Sequence, residues 1–565
     1  MQTKLRLSSQ GIVVMYANND LETIDKLNKY YPVHYNRKGT EATLSARFIP
    51  EVLKDFRGID ESNIVSAPQQ IQSLYWRETA ARRRIDDLMQ DGPTGNPVVN
   101  EHLTLMQHQE LGREIAMIRD RFAFYLDVRT GKTPLSLAIM YDDIMQHQEH
   151  KWLVVCPLIL IKSAWMEDAS TFVPTLTVVN CHASTKEGRV KALQRTGNIY
   201  ITNIESFANY KEYFDKAGFH GCIVDESSCM KSPKTKQTKA LVGFAQTVKR
   251  FYLLAGRPSP NGLWELYSQL QAIDYYSVPR SYTAFKERYF VNTSFNSNFE
   301  KLANNPLTIQ ELIGITAKYA IYVDQADAFD TAGRTFNTVE VEMPTELKKQ
   351  YNKLRRDLYL DVGDKQLTTN GAGAIYNKLR QVSSGFIIDT QAVKENKFYD
   401  EDTQEVYLLD DYKFNALYEL LDKLEPGAQV IIWAQYRAEF DHIKAHLVGK
   451  CAVVNGSVTL QEKEQSIADF KAGKIQYLVM HPQSAKFGLT LTNAHIAVYF
   501  SMSFSFEDWY QSTARIYGSL SKQPKHCEYY TLIAKDTIDA QIYKDVTEGK
   551  QTSNLTVLQH LRSAI

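Results

Sequence analysis

The chain has 565 residues and a mass of 64.7 kDa, a length that corresponds to three or four domains of ordinary size. It is 44% hydrophobic and 23% charged, which provides for large cores and excludes disorder throughout. Lys and Arg number 65, as do Asp and Glu, so the formal net charge is zero; this excludes a binder acting through bulk positive charge but leaves room for a local basic groove.

Residues 1 to about 66 read as a small α+β unit. GIVVMYA is strand-like, LETIDKLNKYY and FIPEVLKDF are helix-like, and HYNRKGT has turn chemistry. Residues 67 to 90 predict a helix with a basic face that includes Arg77, Arg82, Arg83 and Arg84. DGPTGNP, at 91–97, is the clearest linker, because Gly and Pro both interrupt regular structure. From about residue 100, short apolar runs alternate with helical stretches: FAFYLDV, KWLVVCPLILI, NIYITNI, HGCIVDE and RFYLLAG. That alternation predicts βαβ units and a parallel sheet covered by helices on both faces. The rhythm returns in 429–533 with QVIIWAQ, CAVVNG, IQYLVM, HIAVYFS and CEYYTLIA; the stretch between, 275–425, reads as helical insertions and the entry to the second sheet. The expected domains are 1–95, 96–335 with a helical insertion from about 275, and 336–565 with a helical insertion at about 344–425 and a helical tail.

Six cysteines, at 156, 181, 222, 229, 451 and 527, form no CxxC pair, which argues against a zinc ribbon or a disulfide scaffold and for a reducing setting. The longest apolar run, Trp152 to Ile161, ends at Lys162, well short of the roughly 20 residues that cross a bilayer. MQTKLRLSSQ lacks the apolar stretch of a signal peptide. A cytoplasmic protein without membrane contact is expected.

LDVRTGKT, at 126–133, follows a strand-like run and opens a helix. A tight turn at Gly131, with Lys132 and Thr133 starting the helix, suits phosphate: backbone N–H groups face the anion, Lys132 reaches the terminal phosphates and the Thr133 hydroxyl ligates Mg²⁺. Leu126 occupies the first Gly position of the full pattern, so a plain Lys at a loop-to-helix junction is the competing reading. HGCIVDESS places Asp225 and Glu226 at the end of an apolar strand about ninety residues on. In a nucleotide hydrolase the first carboxylate holds Mg²⁺ and the second acts on the attacking water. The competing reading is a helix N-cap.

Together these segments resemble a superfamily-two DNA translocase of the Swi/Snf type, especially its compact phage and bacterial members. LTLMQHQELG resembles the adenine-reading Q motif, LDVRTGKT motif I, VVCPLILIKSAW motif Ia and ITNIESF motif Ib. DESSCMKSPKTKQTKAL resembles motif II, LLAGRPSPNGLWELYSQL motif III, QVIIWAQYRAEFDHI motif IV, HPQSAKFGLTLTNAHIAVYF motif V and WYQSTARIYG motif VI. The series runs in order over about 100–545.

The resemblance implies two RecA-like lobes with ATP and Mg²⁺ between them, and a DNA-dependent ATPase acting on double-stranded or branched DNA. It assigns Lys132, Asp225, Glu226 and Arg515 to catalysis. His108, Gln109, Arg129, Thr130, Gly131, Lys132, Thr133, Gly488 and Gln511 fall to the nucleotide, and Thr133 and Asp225 to the metal. Ser163, Thr202, Gln435, Ser484 and Thr490 fall to the DNA backbone. KSPKTKQTK, at 231–239, is either a solvated face or a phosphate-contacting surface. A monomer with replication or recombination partners is implied, nucleoid-associated or in a host cytoplasm if phage-encoded. NKYYPVHYNRKGTEATLSARFIPEVLKDF faintly resembles the HARP-like module of annealing translocases, which meets branched DNA; partner docking is the alternative.

The chain departs from the family pattern at Arg129, Ser228, Arg257, Lys486 and Phe487, and at Gly518, where motif VI usually has its second arginine. On a helix, Gly518 would share a face with Arg515 or end the helix as a cap. Alternative functions are a strand-separating helicase and a catalytically weak DNA clamp or recruitment module.

Overall fold

The computed structural model describes residues 4–8, 11–15, 20–293, 302–331, 333–357, 359–362, 365–368, 372–389, 405–486, 490–519 and 523–549. They group into two compact units, within Met1–Ala328 and Phe329–Thr552.

The first unit is built on seven strands: β1 Arg121–Leu126, β2 Trp152–Cys156, β3 Val178–Asn180, β4 Ile199–Asn203, β5 Gly221–Val224, β6 Arg250–Ala255 and β7 Ala320–Val323. All pair in parallel, in the order β7-β1-β6-β5-β2-β4-β3. Their apolar runs are continuous because helices cover both faces. Alternate residues therefore feed separate cores: Ala123, Tyr125, Leu153, Val155, Cys222 and Val224 enter one, and Phe122, Phe124, Trp152, Val154 and Ile223 the other.

The second unit repeats the plan with β8 Arg334–Val341, β9 Val430–Trp433, β10 Cys451–Val454, β11 Tyr477–Met480, β12 Ile496–Tyr499 and β13 Cys527–Ala534. These strands are parallel, in the order β8-β13-β12-β9-β11-β10. The architecture is thus two RecA-like parallel-sheet lobes and a small α+β N-terminal part, as expected. The stretch 275–425, read as helical insertions and the entry to the second sheet, supplies that entry as β8 and also supplies β7 to the first sheet. β8 leaves no apolar run in the sequence, because most of its side chains are exposed and it reads RTFNTVEV. Among the described residues no helix is long and apolar enough to cross a membrane.

The N-terminal part is an antiparallel sheet of Lys4–Ser8, Gly11–Met15, Glu41–Leu44 and His34–Tyr35, in that spatial order. Helices Leu21–Tyr30 and Ile49–Arg57 and the 23-residue helix Gln69–Asp91 accompany it. Asp20 caps the first by accepting the Thr23 N–H, and Gly58, at φ +61°, ends the second. The expected basic face of the long helix is largely paired: Arg82 meets Glu51 and Glu78, Arg83 meets Glu61, and Arg84 meets Glu114.

This part is fastened to the seven-stranded lobe by buried polar contacts. Arg47 donates to the carbonyls of Lys318 (2.5 Å) and Arg121 (2.6 Å), which lead into β7 and begin β1. Its guanidinium lies 4.3 Å from the centre of the Tyr319 ring. Ser45 Oγ donates to Asp274 (2.5 Å), and the Tyr319 hydroxyl lies 2.8 Å from Ser45 Oγ and 3.1 Å from Asp274. On the far side Arg288 donates to the carbonyls of Asn28 and Tyr31. Arg47→Ala leaves two carbonyls without their charged donor and is expected to lower unfolding stability by about 2–3 kcal/mol. Urea unfolding followed by circular dichroism checks this, and an unchanged midpoint would show that the fastening lies elsewhere.

Candidate active site

β1 ends at Leu126, and the loop after it turns into the helix Lys132–Gln146. The loop holds its own shape. The Asp127 carboxylate accepts the Val128 N–H at 2.7 Å, and the Thr130 hydroxyl donates to the Asp127 carbonyl at 2.7 Å. Arg129 and Gly131 are both left-handed, at φ +64° and +80°. No side chain caps the helix that follows, so its first-turn N–H groups are placed to take an anion. Lys132 Nζ lies 3.2 Å from the Leu126 carbonyl.

His108 and Gln109 brace this loop from the side. His108 Nε2 lies 2.7 Å from the Thr130 carbonyl, and burial holds the imidazole below its ordinary pKa, leaving a neutral ring to donate that bond. Gln109 Nε2 donates to the carbonyls of Thr130 (3.0 Å) and Gly131 (3.3 Å), and its Oε1 accepts the Met106 N–H (2.9 Å). A Cβ on Gly131 would lie 2.0 Å from Gln109 Nε2, so glycine is required both for its φ and for this close approach. The amide of Gln109, the residue expected on the adenine, is bonded at both ends to the protein.

β5 ends at Val224 and delivers Asp225 and Glu226. Asp225 is buried; its Oδ2 accepts the Trp165 indole N–H (3.0 Å) and its Oδ1 the Glu226 N–H (3.0 Å). Burial pushes its carboxyl above the usual range, opposed by the Lys132 charge, the indole and the Glu226 amide. Trp165 sits in the π-turn Ile161–Met166, an irregularity frequent at functional sites. Glu226 is left-handed at φ +55°, a conformation that costs a non-glycine residue about 1 kcal/mol. The neighbouring Ser227 is held by its hydroxyl donating to Gln269 Oε1 at 2.8 Å. Gln269 also accepts from the Tyr125 hydroxyl (3.3 Å) and donates to the Pro258 carbonyl (2.7 Å). Sequence reasoning had not singled out this wholly buried residue, although it lies inside the segment matched to motif III.

The first unit thus gathers Lys132, Thr133, Asp225 and Glu226 at the C-terminal ends of its strands, where ligands bind in open α/β sheets. Thr202 is a correction: its side chain is fully buried in β4 and cannot face a DNA backbone. Ser163 falls in the π-turn. In the basic run, Lys231, Lys234, Lys236 and Lys239 are exposed, and Thr235 caps the helix Lys236–Ala245.

In the second unit Gln511 is buried on the helix Phe506–Thr513, its Oε1 without a hydrogen-bond partner. Arg515 is buried just beyond the helix end, and its carbonyl accepts the Leu491 N–H at 3.0 Å. Since the helix ends at Thr513, Gly518 shares no helical face with Arg515, and it is not the cap. The Gln435 N–H donates to Glu439 (2.7 Å), Ser484 lies in the turn Pro482–Lys486, and Thr490 is exposed. Gly488 lies outside the described residues.

Two RecA-like parallel-sheet lobes, the first with a loop suited to phosphate, a Lys and a carboxylate pair at its strand ends, define a nucleotide-driven motor of helicase superfamily two. The model of the SNF2-related domain matches residues 82–384, and that of the helicase conserved C-terminal domain matches 412–517. The chain belongs to the SNF2-related family and is a DNA-dependent ATPase of that type. It is 27% identical over 428 residues to putative protein p41 of Acyrthosiphon pisum secondary endosymbiont phage 1, covering 72% of this chain and 88% of that one. It is 22% identical over 542 residues to the SWI/SNF-related matrix-associated actin-dependent regulator of chromatin subfamily A-like protein 1 of Xenopus tropicalis, covering 91% of this chain and 51% of that protein. With an uncharacterized ATP-dependent helicase of Mycoplasma pneumoniae it shares 22% identity, over 76% of this chain and 39% of that one. The chain thus spans about half of the first of these two cellular relatives and about two fifths of the second. Among solved structures, the Sulfolobus solfataricus SWI2/SNF2 ATPase core in complex with dsDNA aligns with 83% of this chain and 98% of that one, at 18% identity and a TM-score of 0.38.

Gln109→Ala removes two hydrogen bonds to the loop and one to the Met106 N–H at the start of its own helix. A loop brace predicts roughly tenfold weaker binding of ATP and GTP alike. Fluorescent-nucleotide titration checks this; a loss confined to ATP would return Gln109 to the base.

Proposed function

We propose that this chain uses ATP hydrolysis to move along double-stranded DNA, and that forked or branched DNA and DNA-bound proteins are what it remodels. The observation that carries the reading is the buried Asp225, under the charge of Lys132, with Glu226 beside it in a left-handed turn. The uncapped helix start behind Gly131 and the oxygen donors of Thr133 and Asp225 fit a phosphate chain with Mg²⁺. Bound there, Mg²⁺ would neutralise phosphate charge. Lys132 supplies a further positive charge to the phosphates, Glu226 orients and deprotonates the attacking water, and Arg515 contributes charge to the transferring phosphoryl group. Arg129, Thr130, Gly131 and Gln511 position the nucleotide. Ser163, Gln435, Ser484 and Thr490 contact the DNA backbone, which needs hydroxyl and N–H donors rather than net positive charge. The protein acts as a monomer, and replication or recombination proteins are its partners.

ATP turnover is expected to rise with duplex DNA and to rise further with forked or four-way DNA. DNA binding should weaken as salt increases, since backbone contacts release counterions. Lys132→Ala and Glu226→Gln should abolish turnover while leaving DNA binding largely intact, and Arg515→Ala should lower turnover by roughly 10³-fold. A coupled ATPase assay over a panel of linear, single-stranded, forked and four-way DNA measures turnover, and fluorescence-anisotropy titration of labelled DNA over a range of salt measures binding. Full turnover in Lys132→Ala would remove the motor assignment, and equal stimulation by every DNA would remove the branched-substrate part. Strand displacement in the same preparation would replace translocation with unwinding.

A further inference from the structure

A second cluster of ligating side chains lies at the opposite end of the first lobe's sheet. Asp143 is on the last turns of the helix that begins with Lys132; His147 ends that helix, and Glu149 and His150 follow it. His220 immediately precedes β5, whose other end leads into Asp225. His150 Nδ1 lies 3.0 Å from Asp143 Oδ2, and His220 Nε2 lies 3.9 Å from Asp143 Oδ1. The ligand atoms of Asp143, His150 and His220 all fall within 4.8 Å of one another, and His147, Glu149 and His150 form a second such group sharing His150. Two ligands each about 2.05 Å from one tetrahedral ion stand roughly 3.3 Å apart; the His150 and His220 rings stack with centroids 3.4 Å apart, 12° from parallel, so both must turn about their side-chain bonds for their nitrogens to face one ion. Beside the cluster is a cavity of about 230 Å³ with room for an ion and water; His147, His150, His220 and Asp143 line it together with Asp120 and Asp142 and the cations Arg113, Lys249 and Arg250.

The surroundings hold these groups in place. Asp143 accepts the Trp152 indole N–H (2.8 Å) and a hydrogen bond from Arg250 (3.2 Å), the kind of outer partners that orient a ligating carboxylate. Arg250 is itself tied to the Ala116 carbonyl (2.8 Å). The Trp152 ring lies over Gly221, where a Cβ would come within 2.5 Å of it. The backbone of His220 is fixed on both sides: its N–H donates to the Lys151 carbonyl, and its carbonyl accepts from Lys249 and Arg250.

We propose that Asp143, His150 and His220, with His147 and Glu149 at the rim, form a site for a zinc-like divalent transition metal, distinct from the nucleotide site. Two or three imidazoles with a carboxylate suit Zn²⁺, Ni²⁺ or Co²⁺ and are poor ligands for Mg²⁺ or Ca²⁺. Asp143 stands about 16 Å along the helix from Lys132, and His220 about 16 Å along β5 from Asp225. An ion there clamps the phosphate-loop helix to the strand that presents the carboxylate pair, at the ends away from ATP. The inference does not depend on how the motor acts on DNA.

The test uses the full chain, stripped with chelator, dialysed and titrated with Zn²⁺ in a calorimeter, with Co²⁺ as a spectroscopic substitute. One Zn²⁺ per chain is expected, in the micromolar range or tighter and unaffected by millimolar Mg²⁺, together with a higher melting temperature and the visible bands of tetrahedral Co²⁺. His150→Ala and His220→Ala should each weaken binding by roughly tenfold or more, while His102→Ala, at an exposed histidine elsewhere, should bind as the parent does. Should either alanine variant fold poorly, His220→Gln keeps a polar side chain of similar reach without the imidazole and should lose the Co²⁺ bands. No Zn²⁺ binding by the parent, or equal binding by the His150 and His220 variants, overturns the proposal.

Discussion

Much of the first lobe depends on one buried amide. Gln269 satisfies a strand tyrosine, the serine after the carboxylate pair and a carbonyl in the loop after β6 at once. Those groups stand on or after β1, β5 and β6, which are neighbours in the sheet although far apart in the chain. Each polar group would cost free energy if left unpaired in the interior, and one fixed side chain removes the cost for all three. It thereby sets how far apart the loops that carry Lys132 and Asp225 can drift. The left-handed Glu226 beside this junction shows the same logic: local strain persists where surrounding bonds leave the backbone no alternative.

The N-terminal part is a second fixed element rather than a tethered attachment. Arg47, Ser45 and Arg288 join it to segments next to β1, β6 and β7, and its apolar core is continuous with one face of the lobe. Whatever surface it offers is held rigidly relative to the phosphate loop. The charge of the long helix is consumed mainly by ion pairs with Glu51, Glu61, Glu78 and Glu114, so its arginines act first as fasteners.

The parts of the fold legible in the sequence are those buried on both faces. FAFYL, WLVVC, GCIV and VIIW are apolar throughout because parallel strands under two layers of helix leave no polar side. β3 is three residues long, and β8 is polar and exposed along most of its length, so neither produces such a run. At the candidate site, the placement of Lys132, Thr133, Asp225 and Glu226 was readable because each pair follows an apolar strand, the first at the start of a helix. Gln269 was not, since a glutamine on a helix is ordinary until the fold shows which strand and two loops converge on it. Thr202 failed for the opposite reason: its motif was sound, but β4 is buried on both faces, which leaves that side chain no exposed surface.

The Trp165 indole and any cation drawn to Asp225 address the same carboxylate. A metal ion that takes over the oxygen lone pairs weakens the indole's bond, and a stronger indole bond weakens the ion's hold. By thermodynamic reciprocity, whatever shifts the turn Ile161–Met166 changes the affinity for the ion by the same factor as the ion changes the equilibrium of that turn. A single N–H···O contact between stretches distant in the chain is therefore enough to make the turn and any ion at Asp225 a linked pair.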